Sequence, residues 1–573
     1  MRHSPLSIAI ALTLLSACSS PESTRSDITE AVPRQEAAAK SVADRRERDD
    51  RPVLAAQAMD AMAGAPQPAP AFAPPAPPAS LAAPMVAGGI GALQRANTER
   101  YASTPDNPIQ RTEDASVSTF SIDVDTGSYS NVRRMLVAGQ RPPADAVRAE
   151  EMLNYFDYGY PAPASRNTPF QVSTEVAVAP WNSKHQLLQI GIQGYRVAAS
   201  DIPAANLVFL VDTSGSMQDA DKLPLVKQSL REMVKSLRPQ DHVSLVVYAG
   251  SAGLVLPPTP GNEQVRILEA LDRLEAGGST NGGEGLQLAY AMARQAFMGT
   301  GVNRVILATD GDFNVGTVDQ KSLETMIADQ RKSGIALTTL GFGTGNYNDA
   351  MAEQLADIGN GNHAYIDSIN EGRKVLVEEL SSTMMTIAQD VKIQVEFDPA
   401  VVAEYRLIGY ENRALRREDF NNDKVDAGEI GAGHDVTALY ELTLVGSGGD
   451  SVDPLRYARH AVPVAKQGGE LGWLRLRYKS PSGGSSRLME RALLRGNANR
   501  SATPRLRWAA AVSAYADLLR GGSHVGNFGW DQVHALAASA SGEDRWGYRA
   551  EFLTLVDRAR ALTEGQAAVA VSQ

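Results

Sequence analysis

The chain of 573 residues has a single cysteine, Cys18, so no intrachain disulfide can form. It has no excess of positive charge. Lys and Arg number 55 against 66 Asp and Glu, a formal net charge of -11. That excludes the basic field on which non-specific nucleic-acid binding depends. The 8 histidines are scattered without metal-ligand spacing. No Gly-Lys-Ser/Thr follows the glycines at 277–285, which excludes a P-loop, and no G-x-S-x-G elbow occurs. Beyond residues 6–15 no apolar run approaches the length of a membrane span. Hydrophobic residues at 43% and charged residues at 21% describe ordinary globular protein, long enough for two or three domains.

The apolar stretch 6–15 follows Arg2 and His3 and has signal-peptide length. It runs into Leu15-Ser16-Ala17-Cys18, which resembles the lipobox of bacterial lipoproteins. The resemblance implies that the Cys18 thiol becomes a thioether to diacylglycerol. Several acyl chains give stable anchoring where one does not. Ser19 stands where an Asp would imply inner-membrane retention, so the expected location is the outer membrane, facing the periplasm.

Residues 19–95 read as a linker, first mixed in charge (Asp44 to Asp50), then rich in Ala and Pro. Such sequence lacks the apolar content to offset chain entropy. Proline keeps it extended, with a reach on the order of 200 Å. Residues 96–165 form an N-terminal domain with helices expected at 131–138 and 146–156. Strands follow at 170–178 and 187–193, within a segment 166–200. From 201 to 388 apolar strands (207–211, 243–248, 304–308, 336–341, 363–367) alternate with helices (223–238, 263–275, 283–298), ending in a helix at 371–389. This pattern predicts an α/β domain with a mostly parallel sheet covered on both faces. Residues 389–573 begin with period-two strands at 391–397, 405–410, 436–445 and 473–478, expected to be antiparallel with one wet face. They end in helices over 503–563. The economical architecture pairs the strands of 166–200 with the later ones in one β-sandwich, with the α/β domain inserted between them.

Asp212-Thr213-Ser214-Gly215-Ser216 directly follows the strand at 207–211. Ligands of open α/β sheets bind at the carboxyl ends of strands. Gly277-Gly278-Ser279-Thr280-Asn281 precedes another helix and brings a Thr hydroxyl; the strand at 304–308 ends in Thr309-Asp310-Gly311 and brings a second carboxylate. These pieces, in this order, resemble the metal-ion-dependent adhesion site of von Willebrand factor type A domains. The resemblance covers about residues 205–385. It implies metal ligation by Asp212, Ser214, Ser216, Thr280 and Asp310. The chemistry agrees: a hard divalent cation takes oxygen ligands, and Mg²⁺ wants six in octahedral array. Mg²⁺ is the expected ion, with Mn²⁺ or Ca²⁺ as alternatives. Neutral hydroxyls leave the ion electrophilic, and the family implies a protein partner that offers an Asp or Glu carboxylate. The competing reading is a set of helix caps with no ion.

The flanks extend the resemblance. Val117 to Tyr129 with Glu150 to Phe156 look like the N-terminal domain of a bacterial family of von Willebrand type A lipoproteins. Leu407 to Arg413 and Asp419 to Glu429 look like its C-terminal domain. Two motifs compete. Asp125-Thr126-Gly127 spells the aspartic-protease signature, but no second copy supplies the paired carboxylate that this chemistry needs, and a turn is expected instead. Asp419, Asn421 and Asp423 have the oxygen spacing of an EF-hand, yet Lys424 and Ile430 replace its Gly and Glu, leaving a looser calcium loop or a polar turn. Without a general base beside a nucleophile, a metal-dependent binding or scaffolding protein of the cell envelope is preferred over an envelope enzyme or a structural protein with an incidental metal.

Overall fold

The computed structural model describes residues 98–571 apart from 312–319, 380–381, 383, 454–468, 482 and 497–500. The signal segment, the Ala/Pro-rich linker and Cys18 lie outside the described residues. One compact unit covers 90–573.

The N-terminal part opens with β1 (Gln110–Arg111), β2 (Val117–Ser121), helix α1 (Gly127–Val137) and helix α2 (Ala149–Asn154). A hairpin follows, β3 (Phe170–Ala179) and β4 (Asn182–Gly194). The expected helices are present: the first starts four residues earlier than expected and ends one earlier, and the second is shorter than expected at both ends.

The chain then enters the α/β domain: β5 (Ala205–Asp212), α3 (Leu223–Val234), β6 (His242–Tyr248), β7 (Ala252–Pro260), α4 (Gln264–Asp272) and α5 (Gly282–Gln295). β8 (Val302–Thr309), α6 (Gln320–Lys332), β9 (Ala336–Phe342), α7 (Asp349–Ile358), β10 (His363–Ile366) and α8 (Ile369–Arg373) complete it. The sheet order is β10-β9-β8-β5-β6-β7. All neighbours are parallel except β7, an antiparallel edge that the sequence pattern did not reveal. Alternate residues of β5 feed two cores. Leu207, Phe209 and Val211 belong to the core shared with α3 and α4, while Val208 and Leu210 belong to the core shared with α5, α6 and α7. This is why β5 reads as an unbroken apolar run.

The last helix stops earlier than expected. α8 passes into a π-helical turn, Lys374–Glu378, and by Thr386 the chain is already in strand β11 (Thr386–Phe397). The expected helix to 389 therefore overshoots, and the first residues of β11 pair with β13 instead.

The sandwich is completed by β12 (Val402–Ile408), β13 (Ile430–Gly431), β14 (Asp435–Leu444), β15 (Glu470–Lys479) and β16 (Arg487–Leu494). One sheet runs β1-β12-β14-β4-β3, and the other is built on β13-β11-β15-β16, with β2 also on β11. β4 pairs with β14 from His185–Thr443 to Gln193–Asp435, so strands before and after the α/β domain share one sheet. The two sheets enclose a common core including Ile190, Ile393, Tyr440 and Leu474.

The expectation of a wet face fails for β14. Its other face, and that of its neighbour β4, is covered by α9 (Pro504–Arg520), α10 (Trp530–Ala538), α11 (Tyr548–Val571) and the N-terminal helices. Leu187 and Leu439 point into that helical core, beside Trp508 and Phe552. Tyr160 lies flat over Gly191, where an added Cβ would sit 2.2 Å from the ring. Period-two alternation survives in β15, whose outer residues are half-exposed.

Candidate metal centre

The sheet order reverses at β5: the chain goes outward to β6 and β7, then returns to β8 on the opposite side. Such a switch point leaves a crevice at the carboxyl ends of the two central strands. Asp212 is the last residue of β5, and Asp310 follows the last residue of β8. Both carboxylates are fully buried there.

After Asp212 the chain makes a tight turn. The Ser214 amide donates to Asp212 Oδ1 at 2.8 Å, and Tyr248, at the end of β6, donates its hydroxyl to Oδ2 at 3.0 Å. A short 3-10 turn, Gly215–Gln218, then brings Ser216 back, with Ser214 Oγ and Ser216 Oγ 3.0 Å apart. Met217 anchors this turn in the core, as a packing residue. Asp310 is within reach of the Ser216 hydroxyl. The structure thus brings Asp212, Ser214, Ser216 and Asp310 together.

Thr280 arrives on a loop stitched to this turn. Gly277 donates its amide to Thr213 O at 2.8 Å, and Gly215 donates to Gly278 O at 3.0 Å. Thr280 itself is half-buried, immediately before Asn281, the residue preceding α5.

Burial pushes the Asp212 carboxyl up to about 6; the Ser214 hydrogen bonds work against this and the charge of Asp310 adds to it. Among the described residues no cation offsets this carboxylate. Asp310 behaves oppositely. Burial would raise it, but the Lys222 ammonium holds it below the usual carboxylate range. Lys222 Nζ donates to Asp310 Oδ2 at 2.9 Å and to Asn346 Oδ1 at 3.0 Å. Among the described residues no three His, Cys, Asp or Glu side chains are grouped so that they could hold a metal ion. The centre is therefore a set of neutral hydroxyls with two carboxylates. Those oxygens fit a hard divalent cation better than a soft one, and the buried Asp212 carboxylate is the group such an ion would neutralise.

Sequence reasoning missed Lys222, Asn346 and Tyr248. Lys222 caps α3 outside the Asp-x-Ser-x-Ser motif. Gly341-Phe342-Gly343-Thr344-Gly345-Asn346 was the available signal, a glycine-rich loop leaving β9 at the same sheet edge. That loop carries a further surprise. The N-terminal segment docks on it, with Thr98 N to Gly345 O at 2.8 Å and Arg100 N to Tyr347 O at 3.0 Å. Glu99 Oε1 accepts the Gly345 amide at 2.9 Å while its other oxygen meets Arg134.

The competing motifs resolve as structure. Asp125 Oδ1 accepts the His363 amide at 2.8 Å and Oδ2 accepts from Arg413, so the protease-like triplet ties β10 to its neighbours. His363 sits buried at the start of β10, its ring between Thr339 and Tyr347. In the EF-hand-like loop, Asp419 is taken by Arg416 and Asp423 by Arg477 and Ser486, so these oxygens do not converge.

Residues 206–377 match the von Willebrand factor type A domain family, 95–189 a family described as von Willebrand factor, and 382–562 one described as Uncharacterized protein YfbK, C-terminal. The Uncharacterized protein YfbK of Escherichia coli (strain K12) is 48% identical over 474 residues, 82% of each chain. The chain belongs to the YfbK family. Outside it, this YfbK-family chain is similar to the human Inter-alpha-trypsin inhibitor heavy chain H3, 24% identical over 279 residues, 44% of this chain and 31% of that one. A solved von Willebrand factor type A structure from Catenulispora acidiphila covers 67% of this chain and 89% of its own, with a TM-score of 0.37 and 15% identity. The YfbK-family chain contains a von Willebrand factor type A domain, which suggests a protein-interaction or adhesion role, set in a β-sandwich frame.

Proposed function

We propose that this protein is an envelope lipoprotein that binds a protein partner through a divalent cation, Mg²⁺ in the first instance, held by Asp212, Ser214, Ser216, Thr280 and Asp310. The observation that carries the reading is the switch-point crevice: two hydroxyls 3.0 Å apart beside two buried carboxylates, one of them with no cationic partner among the described residues. An ion with an open coordination position there would accept an Asp or Glu carboxylate from the partner. Cys18 would supply the lipid anchor at the outer membrane, with the centre facing the periplasm. Among the described residues no helix is long and apolar enough to cross a membrane.

The test is calorimetric titration of Mg²⁺ into metal-stripped wild type and Asp212→Ala, together with melting in EDTA. Binding should stabilise the fold by about 2.7 kcal/mol at a hundredfold excess over Kd. Asp212→Ala should abolish both the heat and the stabilisation while leaving the metal-free fold intact. Equal heats from the two proteins would remove the metal reading. For the anchor, Cys18→Ala should release the protein from the membrane fraction; unchanged partitioning would refute lipidation.

A further inference from the structure

Lys222 is a buried ammonium set into the candidate metal centre, and the fold spends specific residues to keep it there. Its side chain is 3% exposed. Its backbone is fixed at the head of α3, with Lys222 N to Asp219 O at 3.0 Å and Val226 N to Lys222 O at 2.9 Å. Its stem crosses Gly343, where an added Cβ would sit 2.3 Å from Lys222 Cγ and 2.5 Å from Cε. Gly343 also holds a φ of +76°, which disfavours any side chain. The ammonium ends between Asp310 and Asn346, acceptors from two different loops. A side chain placed this firmly is a fixed charge of the site.

The charge count then decides what the site can take. Among the described residues of the centre, Asp212 and Asp310 bring two negative charges and Lys222 one positive charge, leaving this set at minus one. A divalent ion makes the whole plus one. Without Lys222 the same ion would be neutralised by the two carboxylates alone. We propose that Lys222 sets the ligand preference of this centre: its charge weakens the hold on the metal and keeps the loaded site cationic, so that it selects an anionic carboxylate over a neutral oxygen ligand. The inference rests on the metal-binding reading above and assigns a specificity role to a residue outside the metal-site motif.

Two changes remove the net positive charge in different ways. Lys222→Met deletes the ammonium, and Asn346→Asp adds a carboxylate beside it at a half-buried position that the fold tolerates more easily. Mn²⁺ is titrated into each metal-stripped protein and followed by water-proton relaxation. Acetate is then titrated into the loaded protein as the carboxylate probe, with acetamide as the neutral control. Both variants should bind Mn²⁺ about tenfold more tightly or better, since a nearby like charge in a partly buried site costs at least that much. Both should also bind acetate about tenfold more weakly relative to acetamide. Wild type that binds no Mn²⁺ would overturn the metal reading and this inference with it. Wild type that binds Mn²⁺, with variants whose two affinities fail to move in opposite directions, would overturn only the role of Lys222.

Discussion

Arg133 Nε donates to Asp367 Oδ2 at 2.7 Å, joining helix α1 of the N-terminal domain to the end of β10 in the α/β domain. The same guanidinium reaches Glu371 at 2.8 Å and the Tyr155 hydroxyl at 3.0 Å, with its side chain only 5% exposed. It also meets the half-exposed Glu551 at 2.9 Å, so one cation serves three carboxylates, two of them buried. Removing it leaves Asp367 without its cation and Glu371 with the Tyr155 hydroxyl in place of a counter-charge, a loss that in buried ion pairs costs about 3–5 kcal/mol. Arg133→Met should lower stability by that order in urea unfolding. A change below about 0.5 kcal/mol would show that the seam carries no load.

Glu429 gives the seam a pH dependence. It lies between Asn360 of the α/β domain and Thr386 of β11, and burial pushes its carboxyl up to about 8, against the opposing charge of Arg304. An acid raised in the folded state favours folding below its unfolded value, and that contribution is lost as pH rises to the folded value. Wild type should therefore lose stability between about pH 4.5 and pH 8 from this group. Glu429→Gln keeps the hydrogen-bonding shape without the charge. It should match wild type near pH 4 and exceed it above pH 8 by on the order of 2–4 kcal/mol. Denaturation curves across that range that stay parallel would contradict the assignment.

The docking of residues 98–100 on the loop beside the metal centre is readable by hydrogen exchange. Glu99→Ala strips the acceptor from the Gly345 amide and leaves Arg134 without its carboxylate. The Gly345 and Arg100 amides should then exchange about tenfold faster, with core strands β5 and β8 unchanged. Uniform acceleration across the domain would instead signal global destabilisation.

The hydrophobic cores on the two faces of the central sheet draw only on residues between 205 and 384. A fragment of 200–385 should therefore fold cooperatively on its own, read as a single sigmoidal melt with native near-ultraviolet dichroism. Its β10 edge, normally covered by α1, would be bare, so lower stability than the full chain is expected. A fragment without a cooperative transition would mean that the frame is required for the domain to fold.

The sequence made the central architecture and most of the candidate centre legible for a physical reason. Strand β5 is buried on both faces, and its apolar run ends abruptly at Asp212, so the point where the strand gives way to the polar crevice is written in the chain. The covered outer face of β14 was not legible. Thr437 and Glu441 look like solvent-facing residues, yet they bond Tyr160, Trp181 and Arg406 under the helices. Polar residues of a strand report on hydrogen-bond partners as readily as on water, and local alternation does not separate the two. Lys222 was hidden for a related reason, since a single lysine before a helix gives no sign that it folds inwards.

The pairing of Gln193 with Asp435 also orders events in time. During synthesis the β3–β4 hairpin emerges with one long edge bare, and the strand that covers it is made only after the whole α/β domain. Loop closure costs grow slowly with length, about 0.6 kcal/mol per doubling, but non-local pairing slows folding markedly. If the inserted domain collapses first, its two ends return the chain to the waiting edge. An exposed edge of that length invites pairing with another chain. The inserted domain therefore acts as a timer on the sandwich, and a slow-folding variant of it should aggregate through β4 before it ever loses its own native structure.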